Sequence, residues 1–143
     1  MDNSKLKFLI AEDDFIAALE IKQILEDLGF EVVSMVSTAL ETITRAVFDK
    51  PNIILMDVLL SGSLDGIEAA KIISYKNNMP VIFLSDDSSR ELLAKKKPEV
   101  PFTIVHKPVT RGSLSEAINN VRMLVNFQET GSTNIPNSRP YTF

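Results

Sequence analysis

Asn52-Ile53-Ile54-Leu55-Met56-Asp57 is the stretch that decides the fold. Four apolar residues in an unbroken row do not alternate between a wet and a dry face. The run therefore reads as a strand buried on both sides, the environment of a central strand in a parallel sheet. It ends in a carboxylate, and three other runs end in polar groups too. Lys7-Phe8-Leu9-Ile10-Ala11 leads into Glu12-Asp13-Asp14, Val81-Ile82-Phe83-Leu84 into Ser85, and Phe102-Thr103-Ile104-Val105-His106 into Lys107-Pro108. Parallel strands bring their C-terminal ends to one edge. Three carboxylates, a hydroxyl and an ammonium are then expected in one cleft.

Between the runs lie segments of helical period. Residues 14–28 place Ile16, Leu19, Ile24, Leu25 and Leu28 on one side, and Gly29 follows as a stop signal. Asp14 reads as the cap of that helix. Glu31 to Val36 reads as a second strand. Thr38 with Glu41 forms a capping box for a helix through Phe48, and Asp65 with Glu68 opens another through about Tyr75. Asn77-Asn78-Met79-Pro80 reads as a turn. Ser89 to Lys97 is a short charged helix stopped by Pro98, with Asp86, Asp87, Ser88 and Ser89 competing to cap it. Ser113 with Glu116 is expected to cap a last helix through about Phe127, with Ala117, Ile118, Val121, Leu124 and Val125 apolar. Five β-α units joined by right-handed crossovers give a three-layer α/β sandwich. Residues 1–127 form one domain in this reading. Residues 128–143, rich in Asn, Thr, Ser, Gly and Pro, read as a disordered tail or the start of a linker.

The chain has 143 residues, of which 45% are hydrophobic and 24% charged, so it is long enough to bury a core without a staple. It contains no cysteine and one histidine, His106, which excludes disulfides, thiolate metal sites and His-rich clusters. A net charge of −4 argues against direct nucleic-acid binding. No apolar stretch reaches the roughly 18 residues of a membrane span, and Met1 to Lys5 does not open a signal peptide. A cytoplasmic location with no membrane partner is the expectation.

Carboxylates repel by about 4 kcal/mol per close pair at an effective dielectric near 20. Glu12, Asp13 and Asp57 brought together must raise one another's pKa or hold a divalent cation. An all-oxygen ligand set favours Mg²⁺, with Mn²⁺ tolerated. Taken singly, each group has a plainer explanation. Glu12-Asp13 could be ordinary helix-start acids, Ser85 a turn or cap residue, Lys107 a surface lysine, and His106 a strand-end side chain directed away from the site. Their joint occurrence at strand ends is the specific signal.

Glu12-Asp13, the strand ending at Asp57, Asp65-Gly66, Ser85 and Lys107-Pro108 together resemble the receiver domain of a two-component response regulator, over residues 5 to about 127. The resemblance implies a flavodoxin-like fold with strand order 2-1-3-4-5. It implies that Asp57 accepts a phosphoryl group from a sensor histidine kinase, a histidine phosphotransfer protein or a small donor such as acetyl phosphate. Asp13, Asp57 and the Leu59 backbone carbonyl would ligate Mg²⁺, with Glu12 acting through a metal-bound water. Lys107, commonly followed by a cis peptide in this family, would pair with the phosphoryl group. Ser85 would donate its hydroxyl to a phosphoryl oxygen. The implied protein is a switch rather than a turnover enzyme, with a downstream protein target and a possible homodimer through its α4-β5-α5 face.

The chain departs from that family pattern in four places. Ser61 stands where many receivers have proline, in a loop one residue longer. Ile104 occupies the position of a common aromatic, with Phe102 two residues earlier on the same side. The segment from Ser85 to Phe102 is poor in apolar residues and contains Lys95-Lys96-Lys97, read as a solvated face of a short, mobile helix. The C-terminal segment is too short for an effector domain, so the chain reads as a stand-alone regulator or a receiver cut from a longer protein. Three other functions stay open. A receiver-like module could bind partners without phosphorylation. An aspartyl-phosphate hydrolase would need a second acid where Leu59 stands. A flavodoxin-like cofactor binder would need a phosphate loop where Glu12-Asp13-Asp14 stands.

Overall fold

The structure is a computed structural model that describes residues 5–75 and 78–130. The chain alternates β1 (Lys7–Ala11), α1 (Phe15–Asp27), β2 (Glu31–Val36), α2 (Ala39–Asp49), β3 (Ile53–Asp57), α3 (Gly66–Ser74), β4 (Val81–Ser85), α4 (Asp87–Lys96), β5 (Phe102–His106) and α5 (Arg111–Thr130). All strand pairs are parallel, in the order β2-β1-β3-β4-β5. This is the flavodoxin-like order expected. Every residue of β3 and β4 is buried, as their continuous apolar runs require. Edge strand β2 is only half-buried.

The sheet separates two cores. On one face, Phe8, Ile10, Leu55, Ile82 and Leu84 pack against Ile21 and Leu25 of α1 and Leu114, Ile118 and Val121 of α5. On the other, Leu9, Ile54, Met56 and Phe83 pack against Ala39 and Ala46 of α2, Ile67, Ala70 and Ile73 of α3, and Leu93 of α4. Each large apolar side chain buried in this way stabilises by about 1.5–3 kcal/mol.

The helix starts follow from local chemistry. Asp14 accepts a hydrogen bond from the Ala17 N–H, and Thr38 with Glu41 and Asp65 with Glu68 form the expected capping boxes. Gly29 ends the α1 unit at φ +93°, a left-handed conformation that costs glycine little.

Three expectations are corrected. Helix α1 buries Ala18, Ile21 and Leu25, whereas Ile16 is 64% exposed and Leu19 39%. Small Ala18 lets the helix sit close on the sheet, and that turns the expected stripe partly outward. Helix α5 begins three residues early, because Thr110 and Ser113 exchange N–H···Oγ hydrogen bonds of 3.0 Å and so cap it. It also runs past Phe127 to Thr130. Helix α4 begins at Asp87 rather than Ser89, and of the four competing caps Asp86 is the one used. The lysine run is exposed, as expected, and within it Lys96 Nζ pairs with Asp65 Oδ2 and, at 3.2 Å, with Glu68 Oε2. Most of the expected C-terminal tail, residues 131–143, and part of the turn at Asn77 lie outside the described residues.

Candidate functional site

Adjacent β1 and β3 carry the acids to one level. Ala11 pairs with Met56, so Glu12 and Asp57 follow side by side at the C-terminal edge. Asp57 in turn pairs with Leu84, and Ser85 with His106. One carboxylate oxygen from each of Glu12, Asp13 and Asp57 lies within 4.8 Å of the others. Glu12 and Asp57 are buried and Asp13 is exposed, so the cluster opens to solvent on one side.

Two donors meet the Asp57 carboxylate. Its Oδ1 accepts the Leu59 N–H at 3.0 Å, and its Oδ2 accepts from Lys107 Nζ at 2.7 Å. Lys107 Nζ also lies 3.0 Å from Glu12 Oε1. Burial by itself would lower the lysine's pKa, but the hydrogen bonds to Asp57 and Glu12 outweigh it and hold the ammonium above its ordinary value. Lys107 and Pro108 are joined by a cis peptide. Glu12 Oε2 accepts the Asp14 N–H at 3.1 Å, while Oε1 is shielded from solvent and receives no well-aligned hydrogen bond. Burial first, and then neighbouring Asp57, push the Glu12 carboxyl up from 4.5 to about 7. Glu12 and Asp57 share the single Lys107 ammonium and face a third carboxylate, Asp13, an excess of negative charge on an all-oxygen donor set that a divalent cation balances.

The loop after β3 is shaped by close backbone packing. A Cβ on Gly66 would lie 2.2 Å from the Asp57 carbonyl oxygen and 2.9 Å from Met56 Cγ, so only glycine fits there. The Gly66 N–H donates to the Val58 carbonyl at 2.8 Å. The first turn of α3 is thereby clamped onto the residue at the centre of the site.

All the side chains singled out in the sequence lie at this edge, but Ser85 is engaged elsewhere. It is buried, and its Oγ lies 3.0 Å from Ser89 Oγ and donates to the Asp86 carbonyl at 3.2 Å. Leu59, expected through its carbonyl, touches Asp57 through its N–H. His106 is exposed. Phe102 is buried edge-on against Phe83, with centroids 5.7 Å apart, and Ile104 is half-buried.

Sequence reasoning missed two contacts. Ser61 Oγ donates to Asp13 Oδ2 at 3.0 Å, joining the long loop to the acid cluster. A hydroxyl at that position, where proline is common, was the available signal. Ser89 lies on Ser85, and its spacing of three from Asp86, the capping-box spacing, was the available signal.

The geometry agrees with what comparison with known proteins finds. The family profile of the response regulator receiver domain matches residues 8–119. The chain is 30% identical over 112 residues to the transcriptional regulatory protein PdtaR of Mycobacterium tuberculosis, covering 78% of this chain and 54% of that protein. It is 31% identical over 116 residues to the chemotaxis protein CheY of Listeria monocytogenes, covering 79% of this chain and 95% of that one. The crystal structure of the response regulator PhyR from Brucella abortus superimposes with a TM-score of 0.78 at 29% identity, covering 90% of this chain and 52% of that one. The chain thus spans about half the length of PdtaR and of PhyR. Among the described residues, no helix is long and apolar enough to cross a membrane.

Proposed function

Because the chain belongs to the response regulator receiver domain family, we propose that it is a phosphorylation-dependent signalling switch that takes a phosphoryl group onto Asp57. The observation that carries this reading is Lys107 Nζ at 2.7 Å from Asp57 Oδ2, with Glu12 and Asp13 in reach of the same point. The donor is a phosphohistidine of a sensor histidine kinase or histidine phosphotransfer protein, or a small molecule such as acetyl phosphate. A carboxylate oxygen of Asp57 forms the new P–O bond as the donor's bond to phosphorus breaks, P–N in phosphohistidine with the imidazole nitrogen leaving with the electron pair, or P–O in acetyl phosphate with acetate leaving with it. Lys107 holds its ammonium at the oxygen that becomes phosphorylated and offsets the added charge of roughly −1.5 to −2. Ser85 turns its hydroxyl to a phosphoryl oxygen.

Glu12, Asp13, Asp57 and the Leu59 carbonyl would hold Mg²⁺, with Mn²⁺ able to substitute. Bound there, the cation neutralises the carboxylates and withdraws charge from the phosphoryl oxygens. The chain acts on itself and is not a turnover enzyme, since Leu59 stands where a hydrolase would carry its second acid. Its output goes to a protein target through the α4-β5-α5 face, which also serves any homodimer. Nucleic acid is not contacted directly by this domain.

A receiver that binds its partner without phosphorylation is the competing reading, favoured by Ile104 and by a Phe102 fixed in the core. Intact mass after incubation with Mg²⁺ and acetyl phosphate separates the two. One added phosphoryl group, lost in Asp57→Asn and with EDTA, is the expected result. No gain, or a gain that survives Asp57→Asn, sinks the phospho-switch and leaves the binding module.

A further inference from the structure

Ser85 and Ser89 are both 1% exposed, and their hydroxyl oxygens lie 3.0 Å apart. Ser89 is the third residue of α4 and closes its capping box. Its N–H donates to Asp86 Oδ1 at 3.1 Å, and its Oγ accepts the Asp86 N–H at 3.1 Å. A serine hydroxyl has one proton to donate. In this structure the Ser85 proton is committed to the Asp86 carbonyl or to Ser89. A phosphoryl oxygen on Asp57 needs that same proton.

Helix α4 has little else to hold it. Ser89 and Leu93 are its buried residues, and Lys96 ties its far end to Asp65 and Glu68. Ile104 stands where many receivers carry an aromatic, and Phe102 is buried against Phe83, so neither position offers an exposed aromatic ring beside Ser85.

We propose that Ser89 is a positioning residue that competes with the Asp57 phosphoryl group for the Ser85 hydroxyl, so that phosphorylation is read out at the first turn of α4. This rests on Asp57 being the phosphoacceptor. When Ser85 turns to the phosphoryl group, Ser89 Oγ loses its contact with Ser85 and keeps only Asp86, whose N–H it accepts and to whose carbonyl it donates at 3.3 Å, so the first turn of α4 is held to β4 by one contact fewer. The Ser85–Ser89 contact must break before Ser85 reaches the phosphoryl group, so it opposes phosphorylation and couples it to the first turn of α4.

Removing the competitor must then strengthen binding at Asp57, the opposite of what a merely structural lesion does. The probe is beryllofluoride, a non-covalent phosphoryl mimic, titrated with Mg²⁺ and followed by ¹⁹F NMR. Ser89→Ala should bind it roughly two- to tenfold more tightly than the parent, the worth of one hydrogen bond. In a Ser85→Ala background the same substitution should change nothing. Weaker or unchanged binding in Ser89→Ala, or an equal gain without Ser85, overturns the proposal. Should the parent bind no beryllofluoride, or Asp57→Asn bind it equally well, the Asp57 reading fails and this inference with it.

A second measurement needs no variant and so does not depend on Ser89→Ala folding. In the parent, saturation with beryllofluoride should speed hydrogen exchange at the Asp86 and Ser89 amides. The Glu68 amide, in the equivalent box of α3, should not change. Unaltered exchange at Asp86 and Ser89 also overturns the proposal.

Discussion

Helix α3 follows the strand that ends in Asp57, and α4 follows the strand that ends in Ser85. Both begin with an aspartate N-cap, Asp65 or Asp86, in a reciprocal box with the residue three positions on. Beyond that start they differ. Helix α3 buries five of its nine residues and presses Gly66 onto the Asp57 backbone. Helix α4 buries two of its ten, one of them a serine. A helix held by apolar area is rigid, and one held by a few polar contacts opens at low cost. The same capping chemistry therefore starts a helix anchored by a broad apolar face beside the acids and one anchored mainly by Leu93 and half-buried Leu92 beside the hydroxyl, and the second is expected to open at lower cost.

The comparison breaks first at Gly66. Gly66→Ala drives a methyl into the Asp57 carbonyl, and the expected cost is about 3 kcal/mol or more in urea unfolding. Asp87→Ala, at the equivalent first position of exposed α4, should stay within about 0.5 kcal/mol. Equal costs would show that α3 is not clamped.

The acids on the rigid side impose a pH dependence. Glu12 is pushed up to about 7 in the folded protein, from 4.5. Between those values the unfolded chain has released a proton that the folded chain keeps. The Glu12 contribution is therefore fully present below about pH 4.5 and is lost as pH rises to about 7, by roughly 3 kcal/mol at most. Unfolding free energies of the metal-free protein and of Glu12→Gln, compared over that range, should diverge by this amount. Saturating Mg²⁺ should flatten the difference, because the cation favours the ionised carboxylate.

Truncation of one apolar anchor per helix sharpens the contrast. Ile67→Ala should cost about 3 kcal/mol and lower the stability of the whole domain. Leu93→Ala should cost about 2 kcal/mol, and hydrogen exchange should speed mainly within α4. Global exchange in both variants would mean that α4 is part of the same cooperative unit.

The smallest effect belongs to Lys96. Lys96→Met removes the ion pairs to Asp65 and Glu68 at an exposed site. Amide exchange should rise in the last turn of α4 and stay unchanged in α3, with no resolvable shift in the urea midpoint. Salt should reproduce the effect in the parent.

Much of this was legible in the chain. The strand runs at Phe8, Ile54, Ile82 and Phe102 fall where the strands are, because a continuous apolar run is the direct mark of burial on both faces. Thr38-Glu41 and Asp65-Glu68 mark helix starts because a capping box is satisfied within four residues. The parallel topology then gathers Glu12, Asp13, Asp57 and Lys107, which is why the site could be assembled before its geometry was seen. Ile16 and Leu19 were misread because hydropathy marks two candidate stripes on α1, and only the fit of Ala18 against the sheet selects one. Ser113 was misread as a cap because its reciprocal partner Thr110 looks equally ordinary in the chain.

The sequence by itself determined the strand runs, the polar group that closes each and the capping boxes at Thr38 and Asp65, because these depend on periodicity and on interactions a few residues long, while the strand order that gathers the ends was implied by the family resemblance. The tertiary structure alone decided the bonds that polar groups make beyond the local helix caps. Ser61 reaches Asp13 across 48 positions, and Lys96 reaches Asp65 across 31. Ser85 is turned to Ser89 although its strand ends beside Asp57. Local pattern marks such residues as candidates but does not choose their partners, since a hydroxyl or an ammonium has many acceptable ones and packing selects among them.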